Sequence, residues 1–489
     1  MFQFPPFNSY QVVDWSNATA ADTRDREISL TRCFSENQQE THLVLVHIPI
    51  ELYSFCLQPI LRLLFGEEDR DLDDNDDVDV DVDASKIPWT NRHDFLNLSI
   101  TPIECSIICS RSRAEKIIRP VAEALNAVYA NANANANANG SGGWRKAKSP
   151  AGIEISEDDY IVIQVDGQGL DAGQRVLELT SPLAMAGISI FFITTYFSDY
   201  ILVPFRSRRT VTKALQQRGF VFSQSADAFV SQLSPSSPTP TTTTQAGRIT
   251  SPFYEASAPS TPPAKDIPEL QIRTFTKLMR NNVKPIVDER LLLISCAGSR
   301  EFDREREESL RSDLLQVLLS TLSLPRSSST KQASRHDSSL GFESLKIADG
   351  KPPDFAAKFL SLTLTTTEPI SVFLEHRLLS RLGGSLLGAK SEEDALVPIT
   401  LDLRDLPMEA TGIVCGVAGR LAQAGTEVDE IDWSPSPQSA KTDGNAGGGI
   451  VDISFLSTAR AGTVVVKASQ LELAVEALEY GMRRVADLV

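Results

Sequence analysis

The run DGQGLDAG, residues 166–173, sets three glycines between an Ile- and Val-rich stretch and a helix-like one. In such a turn, backbone N–H groups can cradle a phosphate. The run lacks the G-x-G-x-x-G order of a dinucleotide fingerprint, and a short strand-to-helix turn accounts for its glycines. The histidines are His42, His47, His93, His336 and His376. They form no H-E-x-x-H, and no G-x-S-x-G or Walker motif accompanies them. His42 and His47 bracket an apolar strand and read as structural. Cys33, Cys56, Cys105, Cys109, Cys296 and Cys415 form no C-x-x-C and lie mostly in apolar runs such as ECSIICS. They read as reduced core thiols in a reducing compartment. The acidic run EEDRDLDDNDDVDVDVDAS (67–85) alternates Asp in a way that could attract calcium. It lacks the Gly at position six and the Glu at position twelve of an EF-hand loop, so a solvated loop is expected. No catalytic set, metal site or cofactor is expected.

The rest of the chain must therefore be read for what it could bind or hold. Its 489 residues allow two to four domains, and an apolar fraction of 42% supports buried cores. A net charge of −17 argues against nucleic-acid binding through a basic surface. The most apolar stretch, LVLVHIPIELYSFCLQPILRLLF (43–65), is broken by His47, Pro49, Glu51 and Arg62, which argues against a membrane span. The N-terminal MFQFPPFNSYQ has no basic start and no continuous apolar core, so a cytoplasmic protein is expected. NANANANANGSGG (131–143) reads as a flexible insertion, and the Ser/Thr/Pro-rich 231–265 as a linker with five Ser-Pro or Thr-Pro steps.

An internal repeat organises the remainder. ISIFFITTYFSDYILV (188–203) lies over VDISFLSTARAGTVVV (451–466), 263 residues on. LDAGQRVLELTSPLAMAG (170–187) lies over MEATGIVCGVAGRLAQAG (408–425), and FLNLSITPIECSII (95–108) over FLSLTLTTTEPISV (359–372), 264 residues on. Within the first copy, YIVIQV (160–165) has strand composition, Asp171–Ala186 has helical spacing closed by Gly187, and two strands follow around a turn at Tyr196–Asp199. RTVTKALQQRG then reads as a second helix and FVFS as a last strand. The order is β-α-β-β-α-β, a ferredoxin-like unit in an α+β fold. EFDREREESLRSDLLQVLLSTL (301–322) reads as an amphipathic helix packing through Leu310, Leu314, Val317 and Leu318. Four tandem units in two related halves are expected. They span 26–120 (with the insertion 67–85), 158–223, 268–382 (insertion 324–340) and 395–489 (insertion 426–449). Linkers at 121–157 and 224–267 join them, and the insertions are expected to be disordered.

Tandem units of this order, with a Gly-ended first helix, resemble ACT domains. With the motif FFITTYFSDYILVP and MEATGIVCGVAGRLAQAG, the chain resembles the CASTOR family of cytosolic arginine sensors. The resemblance implies a non-catalytic, amino-acid-binding nutrient sensor that regulates TOR signalling, with its ligand between the second and fourth units. It places ligand contacts at Ser189 and Ile190, along Met408 to Val414 (Met408, Glu409, Thr411, Gly412, Ile413, Val414), and at Thr458. It implies contact with a regulatory protein complex through Tyr196 and Asp199, with Phe197 between them; a plain turn is the other reading of these residues. The family's two carboxylates for the guanidinium match Ala410 and Gly462 here, with Glu409 adjacent. Arginine or a smaller, neutral amino acid is thus the expected ligand, and a ligand-independent scaffold or a regulatory subunit of an amino-acid-metabolism enzyme the alternative. Self-association as a homodimer is left open.

Overall fold

The computed structural model describes residues 29–32, 41–66, 88–138, 152–165, 172–218, 220–222, 264–299, 304–321, 357–382, 386–388, 395–408, 410–424 and 451–486. The acidic run 67–85, the Ser/Thr/Pro-rich 231–263, the insertions 324–340 and 426–449, Glu409 and Cys33 lie outside them.

The order strand, helix, strand, strand recurs along the chain. The first set is β1 (Leu43–Pro49), α1 (Tyr53–Phe65), β2 (Phe95–Ile100) and β3 (Glu104–Ser110), followed by α2 (Arg119–Ala138). The second is β4 (Tyr160–Val165), α3 (Ala172–Met185), β5 (Phe191–Thr194) and β6 (Asp199–Pro204), followed by α4 (Arg208–Gln216). Helix α5 (Ile267–Arg280) then precedes β7 (Leu293–Ala297), α6 (Arg304–Ser320), β8 (Leu360–Thr365) and β9 (Ser371–Glu375). The last set is β10 (Leu396–Asp402), α7 (Ile413–Ala422), β11 (Ile453–Ser457) and β12 (Ala461–Lys467), closed by α8 (Leu471–Ala486).

Within each set the first strand pairs antiparallel with the third, and the second with the third. The first and third sets then join along β2 and β8, in register from Leu360↔Ile100 to Thr365↔Phe95. Buried polar side chains lace this seam: Asn97 Nδ2 donates to Thr363 Oγ1 at 3.0 Å, and Ser99 Oγ lies 2.9 Å from Ser361 Oγ. The second and fourth sets join at Ile193↔Leu456, where side chains complete the ladder. Phe192 N–H donates to Ser457 Oγ and Phe455 N–H to Thr194 Oγ1, both at 3.0 Å. Bridges Leu43↔Tyr160 and Leu293↔Leu396 link the two sheets into a ring.

Three cores follow from strand alternation, which sends successive side chains to opposite faces. One lies under α3, α4, α5, α7 and α8, and contains Phe192, Ile201, Phe275, Val417, Phe455 and Leu478. A second lies under α1, α2 and α6, and includes Leu310, Leu314, Val317 and Leu318, the four expected from sequence. The third lies between the sheets and holds Phe95, Tyr160, Phe191, Tyr200, Phe359 and Leu456.

Three differences from the sequence expectation stand out. Residues 121–138, expected as linker, continue helix α2. Ile118 and Ala122 bury its start, Val121, Leu125 and Tyr129 pack alongside, and alanine sustains the helix into the Asn-Ala repeat. Helix α5 and the strand Pro285–Val287, expected with the third unit, pack on the fourth set instead: Ile286 pairs with Thr400, and α5 crosses α7 and α8. The crossing is close, for a Cβ on Gly416 would meet Thr274 Cβ at 2.6 Å. After β9, the expected second helix is reduced to a six-residue 3-10 stretch, His376–Arg381. No helix among the described residues is long and apolar enough to cross a membrane.

Candidate functional site

A small cavity of about 50 Å³ sits where the second and fourth sets meet. One wall is the start of β5, Ile190 and Phe191. The others are the loop between β10 and α7 (Leu403 to Val414) and the facing ends of β11 and β12 (Phe455 to Gly462). That volume admits roughly four water molecules. The loop is shaped by its own backbone: Leu406 N–H donates to Leu403 O and Ala410 N–H to Pro407 O, each at 2.9 Å. It enters α7 through Gly412, whose φ of 82° suits glycine. A Cβ there would also lie 2.9 Å from Leu270 of α5.

Of the residues expected to touch a ligand, Ile190, Met408, Ile413, Val414 and Thr458 line this cavity together. Ser189, Thr411 and Gly412 are not among its described lining residues. Ser189 is buried, the Thr411 carbonyl accepts from Lys277 Nζ at 3.1 Å, and the Gly412 carbonyl accepts from Thr274 Oγ1 at 3.0 Å. Burial pulls the Lys277 ammonium below its ordinary value. Ala410 and Gly462 both line the cavity, so its described walls carry no carboxylate at these places. Their polar groups are the hydroxyls of Ser457 and Thr458 and the backbone.

The residues expected to meet a protein partner separate. Tyr196 is 42% exposed and stacks edge-on against Phe197, with ring centroids 5.0 Å apart. Asp199, expected on the same surface, is buried and paired with Arg175 Nε through Oδ2, while its Oδ1 has no hydrogen-bond partner. It opens β6 rather than the turn, which sends its side chain inward beside α3. Burial raises its carboxyl above the ordinary value, against the opposing pull of Arg175.

Sequence reasoning missed two glutamates. Glu104 is fully buried, with Oε2 2.5 Å from His47 Nδ1. Its Oε1 accepts from Thr458 Oγ1 at 2.6 Å and from Arg460 N–H at 2.7 Å. Glu368 accepts from Gln164 Nε2 at 2.9 Å, Ser198 Oγ at 2.5 Å and Tyr200 Oη at 2.8 Å. The repeat set these two residues over each other, 264 apart, and that was the available signal. The described cysteines are buried. Burial pushes Cys415 and Cys109 up to about 12 and Cys56 up to about 11, which disfavours the nucleophilic thiolate. Among the described residues no cluster of His, Cys, Asp or Glu could hold a metal ion.

Comparison with known proteins adds one family. The ACT domain family matches residues 155–217, which hold β4 to β6 and the helices α3 and α4. No curated protein matches the chain. Two of the solved structures that match resemble it weakly. Aspartate kinase from Synechocystis does so at 8% identity and a TM-score of 0.26, over 94% of this chain and 56% of that one. A structural-genomics target from Agrobacterium tumefaciens does so at 14% identity and a TM-score of 0.21, over 40% of this chain and 92% of that one. This chain thus spans a little over half the length of the kinase. What the family match and the element order establish is that the chain is an α+β protein containing an ACT domain.

Proposed function

We propose that the protein is a non-catalytic, amino-acid-binding regulator made of four ACT-like units, and that it senses a small neutral amino acid in the cavity between the second and fourth. The observation that carries this reading is the convergence of Ile190, Met408, Ile413, Val414 and Thr458, from two separate sets of elements, on one cavity. A ligand there touches both sets, so binding favours the arrangement in which they close on it. The apolar walls and the absence of a carboxylate at Ala410 and Gly462 favour a short aliphatic side chain over a guanidinium, which would lose its charge-assisted partners. The readout is a protein partner, in the manner of a CASTOR-like sensor acting on TOR signalling from the cytoplasm. The exposed Tyr196, with the half-buried Phe197 against it, is the contact on this chain, and β5 connects it to the cavity.

The small volume of the cavity favours a second reading, a ligand-independent scaffold. A thermal-shift screen against the twenty amino acids separates the two. A ligand at a hundredfold excess over its dissociation constant stabilises the native state by about 2.7 kcal/mol. A hit confined to alanine, valine or a similar residue supports the sensor. A flat screen, repeated by calorimetry, supports the scaffold.

A further inference from the structure

The turn between β11 and β12, Thr458–Ala461, has two faces. Thr458, Ala459 and Ala461 line the cavity. The same turn is gripped from the other sheet by the first set of elements. Glu104 accepts from Thr458 Oγ1 and from Arg460 N–H, and Ser106 Oγ accepts from Ala459 N–H at 3.1 Å. The Arg460 guanidinium pairs with Glu154, and its Nη1 lies 3.4 Å from the carbonyl of Leu406, itself a cavity wall. The Arg460 carbonyl accepts from Leu403 N–H at 2.9 Å. Two cavity walls are thus fastened, through three consecutive residues, to a part of the chain that does not line the cavity.

We propose that Glu104 is a positioning residue for this pocket: its buried carboxylate fixes the Thr458–Arg460 turn, so that pocket shape depends on the seating of the first set of elements against the fourth. This rests on the pocket being the amino-acid site. A carboxylate suits the task because it only accepts, and three donors converge on it: Thr458 Oγ1, Arg460 N–H and the His47 ring. Glu368 supplies an internal control. It holds the related turn Thr195–Ser198 through the Ser198 hydroxyl, and that turn is not part of the cavity lining.

The test compares Glu104→Ala, Glu104→Gln, Ser106→Ala and Glu368→Ala in the full chain. One readout is hydrogen exchange of the segment 457–462 without ligand; the other is the affinity for L-valine by calorimetry. In Glu104→Ala and Ser106→Ala the segment exchanges faster, on the order of tenfold for the first, and valine affinity falls by a similar factor. Glu104→Gln restores most of both, since its amide oxygen still accepts from Thr458 and Arg460 while the other His47 tautomer accepts from its NH2. Glu368→Ala loosens 195–198 and leaves 457–462 and valine binding as in the parent. Exchange of 457–462 no faster in Glu104→Ala and Ser106→Ala than in Glu368→Ala overturns the proposal. So does a parent that binds valine and a Glu104→Ala variant that binds it equally well. If the parent binds no valine, the functional reading fails alone, and the exchange comparison still decides the role of Glu104.

Discussion

Replacing Arg175 by methionine tests the inward placement of Asp199. The Asp199 side chain has no exposure, its Oδ2 is held by Arg175 Nε, and its Oδ1 has no hydrogen-bond partner. Arg175→Met therefore leaves a desolvated carboxylate without its counter-charge, a change that costs about 3–5 kcal/mol. The cost depends on pH with a definite sign. Burial already raises the Asp199 carboxyl in the folded protein above its ordinary value of 3.8, and loss of Arg175 raises it further. A raised acid binds its proton more tightly in the native than in the unfolded state. The stability this confers is complete below 3.8 and is lost as pH rises through the folded value. Urea denaturation at pH 7 should thus show the full penalty, and the same titration at pH 5 a smaller one. The double variant Arg175→Met, Asp199→Asn removes the charge as well and should recover more than half of the loss at pH 7. An Arg175→Met protein within about 1 kcal/mol of the parent at both pH values, a small fraction of a typical folding free energy, would refute the burial of this pair.

Other perturbations have equally definite outcomes. A Cβ on Gly462 meets only ordinary contacts, the nearest Leu403 Cδ1 at 3.6 Å, so Gly462→Ala should raise stability by about 0.5–1 kcal/mol by calorimetry while reducing valine binding; destabilisation would contradict the open wall. Gln271 is buried between α5 and α7 with neither its Oε1 nor its Nε2 hydrogen-bonded, so Gln271→Met should stabilise by about 1 kcal/mol in urea titration, and a loss would reveal a hidden partner. Burial and the neighbouring Arg113 lower His93 to about 3, so its ring resonances should not titrate between pH 8 and 5 by NMR; the stability its neutral form supplies is complete above 6.5 and lost as pH falls toward 3.

Local signals carried the strands, the Gly-ended helix at 172–185 and the apolar face of 304–320, because each rests on a few residues and their period. Features set by distant contacts were not legible. The Asn-Ala repeat has low complexity in either state; packing of Ile118 and Ala122, which precede Asn131 in the same run of helix, is what commits it to helix. Helix α5 carries no mark in its sequence that it joins α7 rather than α6. The mark lies in Gly416 and Gly419, whose missing side chains admit Thr274 and Gln271. Asp199 has turn chemistry by type, but its alternation with Tyr200 and its facing Arg175 decide that it points inward.

The four turns between the second and third strands of each set show how the interface arises from the repeat. They run Thr101–Glu104, Thr195–Ser198, Thr365–Glu368 and Thr458–Ala461. In the turns from Thr101 and Thr195 the threonine hydroxyl donates to the carbonyl three residues on, at 3.2 and 2.7 Å, and in the turn from Thr365 it accepts from Glu368 N–H at 3.0 Å; the Thr458 hydroxyl gives its proton to Glu104 Oε1 at 2.6 Å. The hydroxyls of Thr101, Thr195 and Thr365 thus bond within their own turns, while that of Thr458 is held by Glu104 from the other sheet. The fourth position then divides the labour. It is glutamate in the first and third turns, which grip, and serine or alanine in the second and fourth, which are gripped. A carboxylate in all four would set glutamate against glutamate across the sheets, and an apolar residue in all four would take from Arg460 N–H the acceptor that Glu104 supplies. The alternation of gripping and gripped turns thus interlocks the two sheets instead of merely stacking them, and it places the cavity on a gripped turn, where its shape answers to the opposite sheet.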